Sequence, residues 1–474
     1  MQPIPIRTLG LTLGVLCALA PAAARANGRP PAINSVAIDP RDPSRLVIGA
    51  TFGPLVSKTC GATWRWTCEQ AVGYSGVWDP GFVFSGRSST IFATTFSGVV
   101  ATTDEGCTWN RLPALGEVFV DDLKRTVEKD PGGASVERLW AATSSASRRN
   151  CVYESRDDGQ TFSASGLCSD TLFFKSIAVA PSNPSQLYVL GYDANMNTMR
   201  PTFHRATGRD PTGVLQFETI ELPAAAWTLY DVSLVGVESS DPNRVFLRGR
   251  DATGSQVWVT EDGGTNWRRV TLPDVSQILA GLLVDDLVLL ATNKGLLKSS
   301  DHGASFQAVM GAPRLHCLSM ATHGEGAMRA VTLYGCANPF TEGAAAFLST
   351  DLGSWKPLFK FENLFGPLEC PAQTPTTDVC TPLYPGLSMQ LFTEGATPVM
   401  GPRCGEGGMT SPPDARQMPE PPSGDGGTVV TRNDGGSTMS APKGCAAGGG
   451  SGGVALLGVG AVAILLRRRG RSRN

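Results

Sequence analysis

An eight-residue pattern that recurs along most of the chain constrains the fold more than any other feature of the sequence. Each copy starts with a small hydroxyl residue, usually has an aspartate two residues later, continues through glycine, and ends on an aromatic residue. We call this pattern the turn octet, and its copies span residues 57–64, 102–109, 155–162, 260–267, 299–306 and, one residue shorter, 349–355. Their first residues are 45, 53, 105, 39 and 50 residues apart, so the double-length interval predicts a degenerate seventh unit near residues 204–208.

Each turn octet is expected to form the tip of a β-hairpin. An aspartate can accept hydrogen bonds from backbone N–H groups two residues on, glycine supplies a positive φ, and the aromatic residue then re-enters the sheet. A period of about 40 to 50 residues with four short strands is typical of a β-propeller. We therefore predict an all-β chain with seven four-stranded blades, which begin near residues 33, 77, 118, 172, 230, 277 and 315. Neither terminus offers an obvious lone strand to close the ring.

The turn octets closely resemble the Asp-box, or BNR repeat, over roughly residues 33–360. Asp-boxes occur in sialidases, some endoglucanases, sortilin-type receptors and photosystem assembly factors, so the resemblance implies propeller architecture and leaves the chemistry open. The copies lack the spaced acidic ligands and closing glutamate of an EF-hand calcium loop. The resemblance implies structural roles for Asp104, Gly106, Trp109, Asp157, Gly159, Phe162, Asp262, Gly264, Trp267, Asp301, Gly303, Phe306, Asp351, Gly353 and Trp355.

The N-terminal 26 residues have the pattern of a secretory signal peptide. Arg7 supplies the positive end, an apolar run follows, and a small-x-small motif ends at Ala26. Residues 27–400 are then the exported propeller with a cysteine-bearing C-terminal extension. Export also makes disulfides the expected use of the twelve cysteines.

Cysteine spacing suggests four disulfides. The expected pairs are Cys151–Cys168, Cys317–Cys336, Cys370–Cys380 and Cys68–Cys107, with Cys60 and Cys404 left over. No pair has the Cys-x-x-Cys spacing of a zinc site, and His204, His302, His316 and His323 form no ligand cluster in the sequence. We therefore expect neither a metal site nor a cofactor.

The C-terminal part of the chain changes character after about residue 400. Residues 401–444 are rich in Gly, Pro, Ser, Asp and Thr and are expected to form a disordered linker. Residues 445–466 are apolar and just long enough to cross a bilayer as a transmembrane helix, and an arginine cluster follows them. Residues 445–474 resemble the MYXO-CTERM sorting signal of myxobacterial surface proteins, which implies processing by a sorting protease at Cys445. The alternative is a plain C-terminal membrane anchor.

The sequence favours a binding protein over an enzyme. A formal net charge of −2 gives no basic excess to attract nucleic acid. Glycosidases need two carboxylates across a sugar bond, and no stretch matches the Arg-Ile-Pro element of sialidases; residues 29–31 lack its isoleucine. We expect a non-enzymatic binding or scaffold module for a protein, peptide or glycan, anchored at the cell surface. The alternative is a glycoside hydrolase or another polysaccharide-acting enzyme.

A candidate binding patch lies in the connection between the first two predicted blades. Tyr74, Trp78 and Asp79 place two aromatic side chains beside an acid, a combination that suits sugar stacking or a peptide anchor. The alternative interpretation is that Tyr74 and Trp78 only pack between blades. Two carboxylates about 5 to 10 Å apart in a groove or channel would instead favour hydrolysis.

Overall fold

The computed structural model describes residues 29–75, 78–129, 134–193, 200–273, 275, 277–323, 329–392, 397–401 and 429–431. Their strands form seven sheets, each with four consecutive antiparallel strands, which confirms the predicted seven-bladed β-propeller; two of the sheets gain a fifth strand from the C-terminal part of the chain. The predicted signal peptide, Cys404 and the C-terminal segment from residue 432 onward lie outside the described residues.

The first four blades follow the chain without interruption. Their strands are β1 (Ile33–Ile38), β2 (Leu46–Ala50), β3 (Leu55–Ser57) and β4 (Trp64–Trp66) in blade 1; β5 (Phe82–Phe84), β6 (Ile91–Thr95), β7 (Gly98–Thr102) and β8 (Asn110–Arg111) in blade 2; β9 (Val120–Lys129), β10 (Ser135–Thr143), β11 (Asn150–Ser155) and β12 (Ser163–Ser169) in blade 3; and β13 (Leu172–Ala180), β14 (Asn183–Asp193), β15 (Pro201–Arg209) and β16 (Leu215–Ile220) in blade 4.

The remaining three blades repeat the pattern. Their strands are β17 (Tyr230–Val237), β18 (Val245–Asp251), β19 (Gly254–Thr260) and β20 (Arg268–Arg269) in blade 5; β21 (Ile278–Val284), β22 (Leu287–Thr292), β23 (Gly295–Ser299) and β24 (Gln307–Ala308) in blade 6; and β25 (Leu315–His323), β26 (Ala330–Ala337), β27 (Ala346–Ser349) and β28 (Lys356–Phe359) in blade 7. The helices are α1 (Glu69–Val72), α2 (Pro339–Glu342), α3 (Thr381–Leu391), two 3₁₀ turns (Ala224–Ala226, Phe361–Asn363) and a π-helical turn (Thr376–Cys380).

The core lies between neighbouring blades. Every residue of β2 and β6 is buried, because each blade is covered on both faces and its inner strands can be apolar throughout. Between blades 4 and 5, for example, Tyr188 and Phe203 pack in one cluster with Leu234 and Leu247. Each blade is therefore stabilised by its neighbours as well as by its own sheet.

The antiparallel order gives the ring two distinct faces. We call the face that carries the connections between blades and the turns between second and third strands the upper face. The lower face carries the turns between first and second strands and, between third and fourth strands, the turn octets. Blade 2 starts at Phe82 rather than near residue 77, because residues 78–81 belong to the upper-face connection.

The turn octets share one hydrogen-bond pattern, seen clearly at residues 155–162. Ser155 Oγ donates to Asp157 Oδ1 (2.8 Å), and Gly159 N donates to Ser155 Oγ (2.9 Å). Thr161 N donates to Asp157 Oδ1 at 2.9 Å, so the aspartate binds the N–H four residues on, not two as expected. The cause is the pair of positive φ values at Asp158 (60°) and Gly159 (82°), which lengthens the turn.

The degenerate seventh unit is also displaced from its predicted position. Residues 204–208 lie within β15, and the turn between β15 and β16 is formed by residues 210–214 instead. Asp210 Oδ1 there accepts hydrogen bonds from Thr212 N (2.8 Å) and Val214 N (3.0 Å). An aspartate again organises the turn, but this unit lacks the aromatic residue that made the other copies recognisable.

The glycine and the aromatic residue of an octet both contact the preceding blade. A Cβ on Gly303 would lie 2.6 Å from the ring of Phe246 in blade 5, and one on Gly264 would lie 2.7 Å from Phe203 in blade 4. Trp267 also packs on Phe203, with ring centroids 5.1 Å apart. These positions therefore require glycine both for the positive φ and for the close approach between blades.

Acid is expected to destabilise the protein through the octet aspartates. Hydrogen bonds from the hydroxyl and then the N–H of Ser305 hold the pKa of Asp301 below its usual 3.8. A carboxyl whose pKa is depressed in the folded state stabilises the fold above its unfolded pKa, and this stabilisation is lost as pH falls through the folded pKa. We expect a constant melting temperature from neutrality to about pH 5 and a decline below about pH 4. The decline should be shallower in Asp301→Asn; equal steepness in both proteins would contradict this assignment.

The ring closes without exchange of strands between its ends. The four consecutive strands of blade 1 all come from the N-terminal part of the chain, and its β1 packs against β25 of blade 7, where His316 Nε2 donates to Ile33 O at 2.7 Å. The rings of Trp64 and Phe359, from blades 1 and 7, pack with centroids 5.5 Å apart. Closure therefore depends on packing between complete blades.

A C-terminal extension then reinforces this joint. After β28 the chain crosses onto blade 1, where β29 (Leu364–Pro367) pairs in parallel with the outer strand β4. Gly401 N donates to Ala62 O at 2.8 Å, so the last residues of the extension also lie against blade 1. The extension thus covers the outer edge of the first blade.

Two of the disulfides join the C-terminal extension to the blades, and two predicted pairs are wrong. Cys151–Cys168 and Cys317–Cys336 are confirmed, each joining two neighbouring strands. The predicted Cys370–Cys380 and Cys68–Cys107 pairs are replaced by Cys68–Cys380 and Cys107–Cys370. The reason is that the extension runs alongside blades 1 and 2, which brings each of its cysteines to a different blade. Cys60 is also disulfide-bonded. The four bonds between cysteines of the described residues are typical of an exported protein.

One short strand lies in the low-complexity region. Val429–Thr431 forms β30, antiparallel to the inner strand β25, and the rest of residues 402–444 is outside the described part of the chain. Within the described residues, no helix has the length and apolar character needed to span a bilayer. The predicted anchor at residues 445–474 lies outside them.

Candidate functional site

The three residues of the predicted binding patch lie in different environments. Tyr74 is buried in the core between blades 1 and 2, whereas Trp78 and Asp79 lie on the upper face. Burial raises the pKa of Tyr74 well above its usual value, and the nearby carboxylates of Glu69 and Asp79 raise it further. Tyr74 is therefore placed for packing, and the accessible part of the patch starts at Trp78.

Trp78 belongs to a group of three aromatic side chains that we call the aromatic cluster: Trp78, Phe96 and Phe119. The Phe96 and Phe119 rings stack with centroids 5.0 Å apart. Trp78 meets Phe119 edge-on at 4.8 Å and lies tilted against Phe96 at 5.6 Å. Phe96 is 53% exposed, so the cluster presents an apolar surface to solvent.

Three separate connections build the aromatic cluster. Trp78 comes from the connection between blades 1 and 2, Phe119 from the residues just before β9, and Phe96 from the turn between β6 and β7. That turn is fixed by Thr95, whose hydroxyl donates to Gly98 O at 2.8 Å and accepts from Ser97 N at 3.2 Å. A tight, hydrogen-bonded turn therefore holds the most exposed ring of the cluster in place.

A charged network anchors the connection next to Trp78. Arg29 donates two parallel hydrogen bonds to the Asp79 carboxylate, at 2.9 and 2.7 Å, and contacts Glu69 at 3.4 Å. Asn34 donates a further hydrogen bond to Asp79. Bidentate arginine–carboxylate pairs fix geometry as well as charge. Asp79 consequently positions the connection that carries Trp78.

A lysine completes the surroundings of the aromatic cluster. Lys175 Nζ lies 6.0 Å from the centre of the Trp78 ring and 3.3 Å from Asp121 Oδ1. A cation at this distance from a ring face is attracted by the ring quadrupole. The cluster thus combines exposed aromatic carbon with a neighbouring positive charge and with acids that already have partners.

Positively charged side chains engage the acids around the aromatic cluster. The carboxylates of Glu69 and Asp79 contact Arg29, and that of Asp121 contacts Lys175, so each of these three acids already has a positively charged neighbour. Within the described ranges, no group of three or more His, Cys, Asp or Glu side chains could hold a metal ion.

The acids whose pKa is raised lie toward the lower face. Burial raises the pKa of Asp39, Glu128 and Glu137, but each of them has an arginine against it. Asp39 accepts from Arg45, and Glu128 accepts from Arg138. Each of these two pairs joins the end of a blade's first strand to the start of its second strand, as expected of a structural ion pair. Both pairs lie away from the aromatic cluster.

Sequence reasoning missed most of this site. Phe119, Arg29 and Lys175 are distant from Trp78 in sequence and meet it only because neighbouring blades converge. Phe96 could have been noticed, because a large aromatic residue is unusual between Thr95 and Ser97 in a tight hairpin turn, where small polar residues and glycine dominate.

No protein-family model and no curated protein matches the chain. Solved structures do match. A GH74 xyloglucanase from Xanthomonas campestris is 12% identical, with a TM-score of 0.41 over 68% of this chain and 60% of the enzyme. The Hadza microbial sialidase Hz136 is 13% identical (TM-score 0.35; 56% of this chain, 65% of that one). YCF48, solved bound to D1 peptide, is 19% identical (TM-score 0.37; 56% and 76%). The chain spans about three fifths of the xyloglucanase, and at these values the matches carry no argument about activity or ligand.

Proposed function

We propose that the protein is a non-enzymatic binding module, which holds a protein, peptide or glycan through the aromatic cluster on its upper face. The observation that supports this proposal is the exposure of Phe96 within a group of three contacting aromatic rings. Exposed aromatic groups on rigidly held loops are the usual anchors of recognition surfaces. The bidentate Arg29–Asp79 pair keeps the surface preorganised, which lowers the entropic cost of binding.

The module is proposed to act outside the cell, attached to its envelope. The signal-peptide pattern ending at Ala26 and the four disulfides support export. The apolar C-terminal segment with its arginine cluster supports attachment, either as a retained anchor or through processing at Cys445. A linker of about 40 residues would let the propeller reach its ligand away from the membrane.

The proposal is tested by binding of the full chain, purified in detergent, to arrays of glycans and of immobilised peptides. For whichever probe the native protein binds, we expect Phe96→Ala to weaken binding about 10- to 30-fold, as the loss of a hot-spot aromatic does. The matched control is Phe340→Ala, because Phe340 is also an exposed phenylalanine (79%) in an upper-face connection but lies on blade 7. This control should bind like the native protein.

Two results would count against the proposal. Equal losses of binding affinity in Phe96→Ala and Phe340→Ala would show that the aromatic cluster has no special part in binding. Release of sugar from a polysaccharide, abolished by replacement of a single carboxylate, would support the alternative of a glycoside hydrolase. The same samples can be assayed for new reducing ends, so both outcomes are measured together.

A further inference from the structure

A second pair of exposed aromatic side chains lies on the upper face, in the connection between blades 4 and 5. Trp227 is 37% exposed and Tyr230 is 45% exposed. Each ring carries a guanidinium group: Arg200 lies 3.5 Å from the centre of the Trp227 ring, and Arg250 lies 4.9 Å from that of Tyr230. Only two residues lie between the two aromatic residues, so their Cα atoms are no more than about 11 Å apart.

Both rings are held in fixed positions. Trp227 Nε1 donates to Leu222 O at 2.7 Å, and a 3₁₀ turn at Ala224–Ala226 precedes Trp227. Leu222 and Leu229 are buried in the core between blades 4 and 5, which anchors the connection on both sides of Trp227. The connection therefore buries its leucines and keeps two large aromatic rings in solvent, and these rings lose little entropy when a ligand binds.

The positive charge of Arg250 is available to a ligand. Thr253 N and the Thr253 hydroxyl both donate to Asp251 Oδ1, and Gln256 donates to Asp251 Oδ2. The carboxylate next to Arg250 in the sequence is therefore engaged by residues of its own hairpin. Among the described residues, Arg250 forms no ion pair. Arg200 does pair with Glu221, at 2.7 Å, but Glu221 is exposed and in reach of solvent.

We propose that Trp227, Tyr230, Arg200 and Arg250 form a binding site for an acidic polysaccharide, a chain of sugars that bear carboxylates. The apolar face of a sugar ring packs on an aromatic ring, and a guanidinium group binds a carboxylate with two parallel hydrogen bonds. The two partly exposed rings and the guanidinium groups of Arg200 and Arg250 lie together in a short stretch of surface. Two rings with two guanidinium groups are enough to contact a few sugar units, whereas a stable protein partner needs a contact of about 800 Å² on each side.

The test uses the full chain in detergent and polygalacturonate as the probe, with neutral dextran and poly-glutamate as comparison ligands. We expect the native protein to bind polygalacturonate in preference to both. Trp227→Ala should weaken binding at least about tenfold, and Arg250→Gln about fivefold with a smaller dependence on salt. Arg329→Gln is the matched control, because Arg329 is an arginine that pairs with Asp285 at the lower face.

Several results would overturn the proposed site. Absence of binding, equal binding of dextran, or unchanged binding by Trp227→Ala overturns the proposed site. Equal binding of poly-glutamate shows recognition by charge alone, for which an acidic protein would serve as well, and also overturns it. Phe96→Ala is expected to keep its affinity for polygalacturonate, so failure of the aromatic cluster as a binding site and failure of this site give different results.

Discussion

Replacement of Trp109 by alanine is expected to lower the free energy of unfolding by about 3–5 kcal/mol. The side chain is 9% exposed and packs between blades 1 and 2, against Phe82 with ring centroids 6.2 Å apart. Its loss leaves a cavity between two blades that are held by complete sheets and cannot collapse onto it. Trp267→Ala is expected to cost less, because Trp267 is only partly buried against Phe203. Denaturant unfolding followed by circular dichroism measures both.

The matched control for the tryptophan variants is Phe96→Ala. Phe96 is an aromatic residue of the same blade as Trp109, but it is 53% exposed, and surface substitutions usually change stability by about 0.5 kcal/mol or less. If Trp109→Ala unfolded at the same denaturant concentration as the native protein, the octet aromatic could not be part of the packing between blades.

Removal of the two long-range disulfides is expected to have the second large effect. Cys68–Cys380 and Cys107–Cys370 join positions 312 and 263 residues apart, and closing long loops restricts the unfolded chain most. Replacing all four cysteines by serine should lower the free energy of unfolding by about 4–5 kcal/mol or more. Replacing Cys151 and Cys168, which are 17 residues apart, should cost about 3 kcal/mol.

Limited proteolysis separates this effect from a general loss of stability. Without the two long-range disulfides, the C-terminal extension is held to blade 1 by β29 and a few hydrogen bonds, so cleavage is expected to begin in residues 361–401. The variant without Cys151–Cys168 should keep the extension protected. A digestion pattern that is the same for both variants would contradict the inference that the two long-range disulfides hold the extension to blades 1 and 2.

The fold could be predicted because its information is local and repeated. Each turn octet carries its own hydroxyl, aspartate, glycine and aromatic residue, so six copies defined the period and the seven blades. The unit at residues 210–214 was placed several residues too early, since it keeps Asp210 but has no aromatic residue to fix the register.

The disulfides and the site could not be predicted in the same way, because they depend on where distant segments meet. Cys370 and Cys380 are close in sequence, yet the extension passes along two blades and gives each cysteine a partner far away. The aromatic cluster likewise takes one ring from each of three connections. Trp78 and Asp79 were found from sequence, but Asp79 is engaged by Arg29 and Asn34.

Hydrogen–deuterium exchange of the full chain, with and without the best ligand from the arrays, tests most directly that the upper-face aromatic cluster binds the ligand. We expect the ligand to slow exchange in the segments around residues 78–81, 95–98 and 118–121. Exchange in the turn octets of the lower face should stay unchanged. Protection confined to the octets, with these three segments unaffected, would contradict it.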